Sequence, residues 1–237
     1  VVVIEIQELR KDFAHDEIIK ELNLDIHPGE TLGLWGPPRS GLTTLMQLIS
    51  GFLAPTTGRV LIDERNAAID RDYISQILSY VPARLQLPPA MRVRDILQFS
   101  ASLRQLKHPS QVAQQFCEKL QLQDCWNLRL GLLPDSLKRL VSIAQALVSE
   151  PKILLLDEPL HPHDSWQKQR LQDWLSPAQA FAIRILSSHS MEDLSPLCSR
   201  ILVVQSGRVI RSLSPDQWKT PRQQQAAMQL EAEEPDA

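Results

Sequence analysis

Gly36-Pro37-Pro38-Arg39-Ser40-Gly41-Leu42-Thr43-Thr44 is the stretch that decides how this chain reads. Before it stands the short apolar run Thr31 to Trp35. After it comes a helical pattern from Thr43 to Ser50, whose Leu45, Met46, Leu48 and Ile49 suit a helix buried beside a sheet. Gly51 falls where a C-cap glycine belongs. Strand, glycine-containing loop and helix in that order carry the phosphate-loop pattern G-x-x-x-x-G-K-[ST]. Gly36, Gly41 and Thr43 fit it, and Leu42 stands at the lysine position. In such a loop, backbone N–H groups and the helix N-terminus cradle phosphates, the lysine neutralises them and the hydroxyl holds Mg2+. The cradle and Thr43 are present here; the ammonium is not. Taken alone, the loop is also compatible with a plain tight turn.

On either side, Val1 to Ile6 and Leu22 to Ile26 read as strands, with His27-Pro28-Gly29-Glu30 as a turn. Pro55-Thr56-Thr57-Gly58 turns into a strand at Arg59 to Ile62. From about Met91 to Glu150 strand signals vanish. Leu, Gln, Ala and Lys at helical spacing predict a mostly helical insertion there. Ile153 to Leu156 is a fully apolar strand ending in Asp157-Glu158-Pro159, and Phe181 to Leu186 is another that ends near His189. Ile201 to Val204 and Arg208 to Ile210 flank Gln205-Ser206-Gly207 as a hairpin. The tail from about Pro221 is rich in Gln, Glu and Ala and reads as a mobile helix or a disordered end.

Composition narrows the function classes. With 237 residues, 43% of them hydrophobic, the chain can bury one good core, or one core plus a small subdomain. A net charge of -3 and scattered basic residues argue against a nucleic-acid partner. No apolar run approaches the roughly 20 residues that span a bilayer, and no secretory leader pattern is visible. Cys117, Cys125 and Cys198 lack metal-like spacing and read as buried small hydrophobes in a reducing compartment. The histidines form no metal pattern either.

Further motifs follow in order. Leu45-Met46-Gln47-Leu48-Ile49-Ser50-Gly51 and Pro55-Thr56-Thr57-Gly58-Arg59-Val60 succeed the loop. Then come Ser79-Tyr80-Val81-Pro82, Arg92-Val93-Arg94-Asp95-Ile96-Leu97, Leu154-Leu155-Leu156-Asp157-Glu158-Pro159, and Ser188-His189 with Met191-Glu192-Asp193. In these segments the chain resembles the ABC (ATP-binding cassette) transporter ATPase family over nearly its whole length. The resemblance implies an α/β P-loop NTPase fold: a mostly parallel core sheet, an antiparallel β subdomain, and a helical subdomain at about residues 84 to 150. The domain would cover residues 1 to 220, with an acidic tail at 221 to 237.

The same resemblance implies ATP and Mg2+ as cofactors, with Gly36, Pro37, Pro38, Arg39, Ser40, Gly41, Leu42, Thr43 and Thr44 around the nucleotide and Phe13 stacked on its adenine. Asp157 and Thr43 would hold the metal, Glu158 would polarise the attacking water, and His189 would contact the γ-phosphate. Plainer readings stand beside these roles. Asp157 and Glu158 suit a helix N-cap region, His189 a surface turn, and Phe13 core packing. Implied partners are a transmembrane permease and a second ATPase subunit, identical or different, and no nucleic acid. The implied location is peripheral, at the cytoplasmic face of a membrane.

The chain departs from the family pattern in three places. Leu42 replaces the lysine and Arg39 a glycine of the phosphate loop. Ala83 stands where the Q-loop glutamine follows Pro82. Leu133-Pro134-Asp135-Ser136-Leu137 falls on the LSGGQ signature, and only its first residue agrees. Asp135 would bring negative charge toward a polyphosphate, Pro134 removes an N–H donor and Leu137 removes an amide. The expectations are therefore three: a subunit impaired in hydrolysis with a structural or regulatory role, an active ATPase in which Arg39 compensates, or a scaffold that binds no nucleotide.

Overall fold

A computed structural model describes residues 2–14, 16–160, 165–175 and 181–218. In chain order the elements are β1 (Ile4–Phe13), β2 (Asp16–Ile26), β3 (Glu30–Trp35), α1 (Leu42–Ile49), β4 (Thr57–Ile62), β5 (Arg65–Asn66), α2 (Arg71–Ile77), β6 (Leu78–Val81) and α3 (Val93–Leu103). There follow α4 (Pro109–Lys119), α5 (Asp135–Leu147), β7 (Ile153–Asp157), α6 (Ser165–Trp174), β8 (Ile183–Ser188), α7 (Met191–Leu194), β9 (Arg200–Gln205) and β10 (Arg208–Leu213).

Two sheets organise the chain. The larger has the order β10-β9-β3-β8-β7-β6, and its five strands from β9 to β6 run parallel. The smaller, β2-β1-β4-β5, is antiparallel. This is the α/β architecture expected from the sequence. β7 shows why its run is continuously apolar: both faces of the large sheet are covered, so both side-chain periods must be hydrophobic. Ile153 and Leu155 join a core with α1 and the antiparallel sheet, while Leu154 and Leu156 join a second core with α3, α4 and α5. The helical stretch expected from about Met91 to Glu150 is α3, α4 and α5 with two single 3-10 turns between them.

Several boundaries differ from the sequence reading. The first strand starts at Ile4 and continues to Phe13. Its alternation breaks at Glu8, which has φ 47° and sits in a register shift between Ile6 and Leu9. Such an extra residue hides the period of two from a sequence scan. The strand expected at Phe181 to Leu186 is Ile183–Ser188, so His189 follows its last residue directly. β6 has only four residues, and neither it nor α2 nor α6 was legible. The tail at 221 to 237 lies outside the described residues. Among those described, no helix is long and apolar enough to cross a membrane.

Candidate functional site

Because β3, β6, β7 and β8 are parallel, the segments that follow them all emerge at one end of the sheet, the usual place for ligands in open α/β sheets. A cleft of about 1420 Å³ lies there. It is lined by the loop from Pro38 to Thr44, the segment Pro82 to Leu87 after β6, Glu158 after β7 and His189 after β8.

The loop is built for close approach of backbone. A Cβ on Gly36 would meet Val204 O at 2.2 Å and Ser40 Oγ at 2.7 Å. Gly41 has φ +100°, a conformation that favours glycine. α1 begins just beyond, with no side-chain cap and no acid in its first turn, so its N-terminal N–H groups and dipole stay available to an anion. Ser40 Oγ is buried without a partner among the described residues. Pro37 is half-buried and gives its carbonyl to Ser40 N, while Pro38 is exposed at the loop tip. Thr43 is exposed on the cleft and Thr44 half-buried beside it. Leu42 is only 4% exposed and packs in the core with Leu45 and Met46. Arg39 is exposed, with φ 69°.

The carboxylates are placed by register. Asp157 pairs with Ser187 across β7 and β8, and Tyr80 shares the α1-facing side because it sits beside Leu155. Ser187 Oγ donates to Asp157 Oδ1 at 2.5 Å and accepts the Glu158 N–H at 2.9 Å. Tyr80 OH donates to Asp157 Oδ2 at 3.3 Å. Burial first, and then the Asp157 charge, hold the Tyr80 phenol well above its ordinary pKa, so it stays a donor. Asp157 is 0% exposed and does not line the cleft.

Glu158 adopts φ 50°, a left-handed conformation that non-glycine residues hold at a cost of order 1–3 kcal/mol and that clusters at functional sites. His189 Nε2 lies 3.3 Å from Glu158 Oε1, and His189 Nδ1 lies 2.7 Å from Gly36 O. Trp35 Nε1 donates to His189 O at 3.2 Å. The phosphate-type loop, the carboxylate and the imidazole thus meet at one place. Asp157 closes β7, and its oxygens accept from the Ser187 and Tyr80 hydroxyls, the only partners they have among the described residues, rather than from helix N–H groups as an N-cap would. His189 is exposed at the bend after β8, as the surface-turn reading has it, and its ring is also held against Gly36 O and beside Glu158.

Phe13 is 46% exposed and lines the cleft, with Lys11 Nζ 5.0 Å from its ring centroid, so the core-packing reading of Phe13 fails. Ala83 offers only a methyl, and Arg84 and Gln86 line the cleft beside it. None of residues 133 to 137 lines this cleft. Leu133 is buried, Pro134 is the extended N-cap of α5, and Asp135 is exposed and paired with Lys138 at 2.9 Å. Ser136 and Leu137 are half-buried.

The loop fits a phosphate group: an open helix N-terminus, an unpaired buried hydroxyl and a backbone that admits no side chain at Gly36. The cation site fits poorly. Mg2+ takes six oxygens at about 2.0–2.1 Å in near-octahedral array. Here Asp157 has both oxygens engaged by protein donors and does not line the cleft, Ala83 has no ligand atom, and of the two residues expected to hold the metal only Thr43 faces the cleft. Sequence reasoning missed Tyr80, Ser187 and Arg139. A hydroxyl interrupting the apolar β8 run was the available signal for Ser187.

The model of the family described as ABC transporter matches residues 19–161. The chain is 32% identical over 209 residues to the aliphatic sulfonates import ATP-binding protein SsuB of Zymomonas mobilis, covering 87% of this chain and 83% of that one. It is 31% identical to the spermidine/putrescine import ATP-binding protein PotA of Bacillus thuringiensis, over 87% of this chain and 64% of the relative. An uncharacterized ABC transporter ATP-binding protein of Bacillus subtilis, YxlF, is 25% identical over 87% and 69% of the two chains. The chain thus spans 64% and 69% of the length of the last two of these relatives. Its fold matches that of the ATP-binding cassette MJ0796, solved as a dimer in a post-hydrolysis state with ADP and Pi. The TM-score is 0.82 at 20% identity, over 90% of this chain and 98% of that one. The loop, the paired carboxylates, the tethered histidine and these likenesses together place the chain in the ABC transporter family, as an ATP-binding cassette.

Proposed function

We propose that this chain is the nucleotide-binding subunit of an ABC transport complex that binds ATP weakly, hydrolyses it poorly or not at all, and acts as a structural or regulatory subunit beside a membrane permease. The observation that carries the reading is the burial of Leu42. The loop keeps its backbone cradle, but the position that supplies an ammonium to the phosphates holds a core side chain. A charge-assisted hydrogen bond contributes about 1.5–3 kcal/mol, so its loss weakens ATP binding by one to two orders of magnitude. Arg39 is exposed and lines the cleft at a different point of the loop from Leu42, and its compensating for the missing ammonium belongs to the active-ATPase reading. The engagement of Asp157 by Tyr80 and Ser187 points the same way for the metal. Relatives named for import of aliphatic sulfonates and of spermidine/putrescine support a transport setting, and a cassette of like fold solved as a dimer supports a second ATPase subunit as partner.

Calorimetric titration of Mg-ATP into the natural chain and into Leu42→Lys tests this. The expected result is weak binding by the natural chain and binding tighter by about tenfold or more in the variant. Micromolar binding with steady turnover by the natural chain would overturn the proposal. That outcome would favour a second reading, an active ATPase, which the intact Glu158–His189–Gly36 contact supports. Turnover would then vanish in Glu158→Gln.

A further inference from the structure

Arg139 is a charged residue in the interior of α5, between Lys138 and Leu140, and is only 4% exposed. A buried guanidinium normally sits against a carboxylate. Among the described residues no carboxylate reaches Arg139 within ion-pair distance, although Asp157 and Glu158 lie near enough for their charges to favour its protonated form. Its Nη1 donates to Pro82 O and its Nη2 to Ala83 O, carbonyls of two successive residues, while its Nε has no partner. The planar fork of arginine suits two neighbouring acceptors in a way that a single ammonium does not. A second link joins the same two elements: the hydroxyls of Ser79 in β6 and Ser149 just beyond α5 lie 2.9 Å apart. β6 with the cleft wall after it, and the cleft-lining face of α5 with Ser142, Gln145 and Ala146, are thereby tied at two points, one inside the helix and one just beyond its end. Ala83, at the centre of the tie, has no side chain long enough to exchange it for a contact with a ligand in the cleft.

We infer that Arg139 is the positioning residue of this cleft: it fixes the Pro82–Ala83 backbone to α5, and with it the helical layer, in the same place whether or not nucleotide is bound. This rests on the proposed reading in one respect, that the cleft is where nucleotide binds. Its consequence is a cassette whose helical subdomain does not report occupancy.

Limited trypsin digestion of the full chain tests the inference, since Arg84 is exposed and follows the clamped pair. Cleavage after it requires local opening, and the rate tracks the open population. Arg139→Gln is expected to speed the cut after Arg84 by at least about tenfold, and Arg139→Lys, which keeps one donor group, by about two- to fivefold. The cut after Arg208 in the β9–β10 hairpin should stay within about twofold. In the natural chain, saturating Mg-ATP should leave the Arg84 rate within about twofold. The inference falls if Arg139→Gln stays within about twofold of the natural chain, if Arg139→Lys is as fast as Arg139→Gln, or if Mg-ATP slows the natural Arg84 cut more than about threefold. If Arg139→Gln accelerates every cut alike it is globally unfolded, and the Arg139→Lys rate at Arg84 against Arg208 then decides. Cleavage after Arg39 in the phosphate-type loop reports nucleotide separately. If Mg-ATP fails to slow it, the nucleotide reading falls and the Arg139 clamp stands on the variant rates.

Discussion

His189 and Glu158 follow the ends of two adjacent parallel strands, and their side chains meet with Nε2 3.3 Å from Oε1. The other ring nitrogen reaches Gly36 O at 2.7 Å, so one imidazole connects the carboxylate to the first glycine of the phosphate-type loop. Since a carbonyl only accepts, Nδ1 carries the proton in that contact. His189→Ala removes the Gly36 hydrogen bond and the Glu158 contact at once. The expected loss is about 1–2 kcal/mol, seen as a fall in melting temperature of about 2–8 °C by circular dichroism. An unchanged melting curve would show that the ring carries no structural load.

Ser187 serves two partners, Asp157 Oδ1 and the Glu158 N–H. Ser187→Ala leaves a fully buried carboxylate with one fewer donor and an unpaired backbone amide. The expected destabilisation is about 2–4 kcal/mol in urea unfolding. Tyr80→Phe should cost less, about 1 kcal/mol, because its 3.3 Å bond is longer. The order of these two losses is the quantity to check.

Leu42→Lys introduces an ammonium at a position packed with Leu45 and Met46. In the absence of ligand the variant should melt about 3–8 °C below the natural chain, from lost burial and a partly desolvated charge. Mg-ATP should raise its melting temperature more than that of the natural chain, because binding to the folded state alone stabilises by mass action. Equal shifts in both chains would show that the new ammonium does not reach the phosphates.

Burial pushes the Cys117 thiol from its ordinary 9.0 up to about 11, and Cys125 and Cys198 move in the same direction for the same reason. A raised pKa means that the folded chain holds these protons more tightly than the unfolded chain does. The Cys117 contribution to stability is complete below 9.0 and is lost as pH climbs toward 11. Urea midpoints should therefore fall across that window, and Cys117→Ala should flatten part of the fall. All three thiols should resist a neutral-pH thiol reagent until the chain unfolds.

Much of this architecture is legible in one dimension. The apolar run Ile153 to Leu156 demands a strand covered on both faces, Leu45 to Ile49 a helix beside it, and Gly36 and Gly41 bound a loop that admits backbone at close range. These signals are local, because hydrophobic period and glycine conformation are properties of neighbouring residues. Asp157, Glu158 and His189 are nominated by the resemblance of their segments to the ABC ATPase family. β6 escaped because four residues carry too little period, and the course of β1 because the extra residue at Glu8 shifts its faces.

The tertiary structure alone decided what those residues can do. Whether Leu42 faces phosphate or core depends on how α1 seats against the sheet. Whether Asp157 is free for a metal depends on its register with Ser187 and on Tyr80 one strand away. That Arg139 grips Pro82 and Ala83, residues 57 and 56 positions distant, depends on α5 packing over β6. Each is a contact between segments far apart in sequence, set by strand register and burial, and no local pattern encodes either.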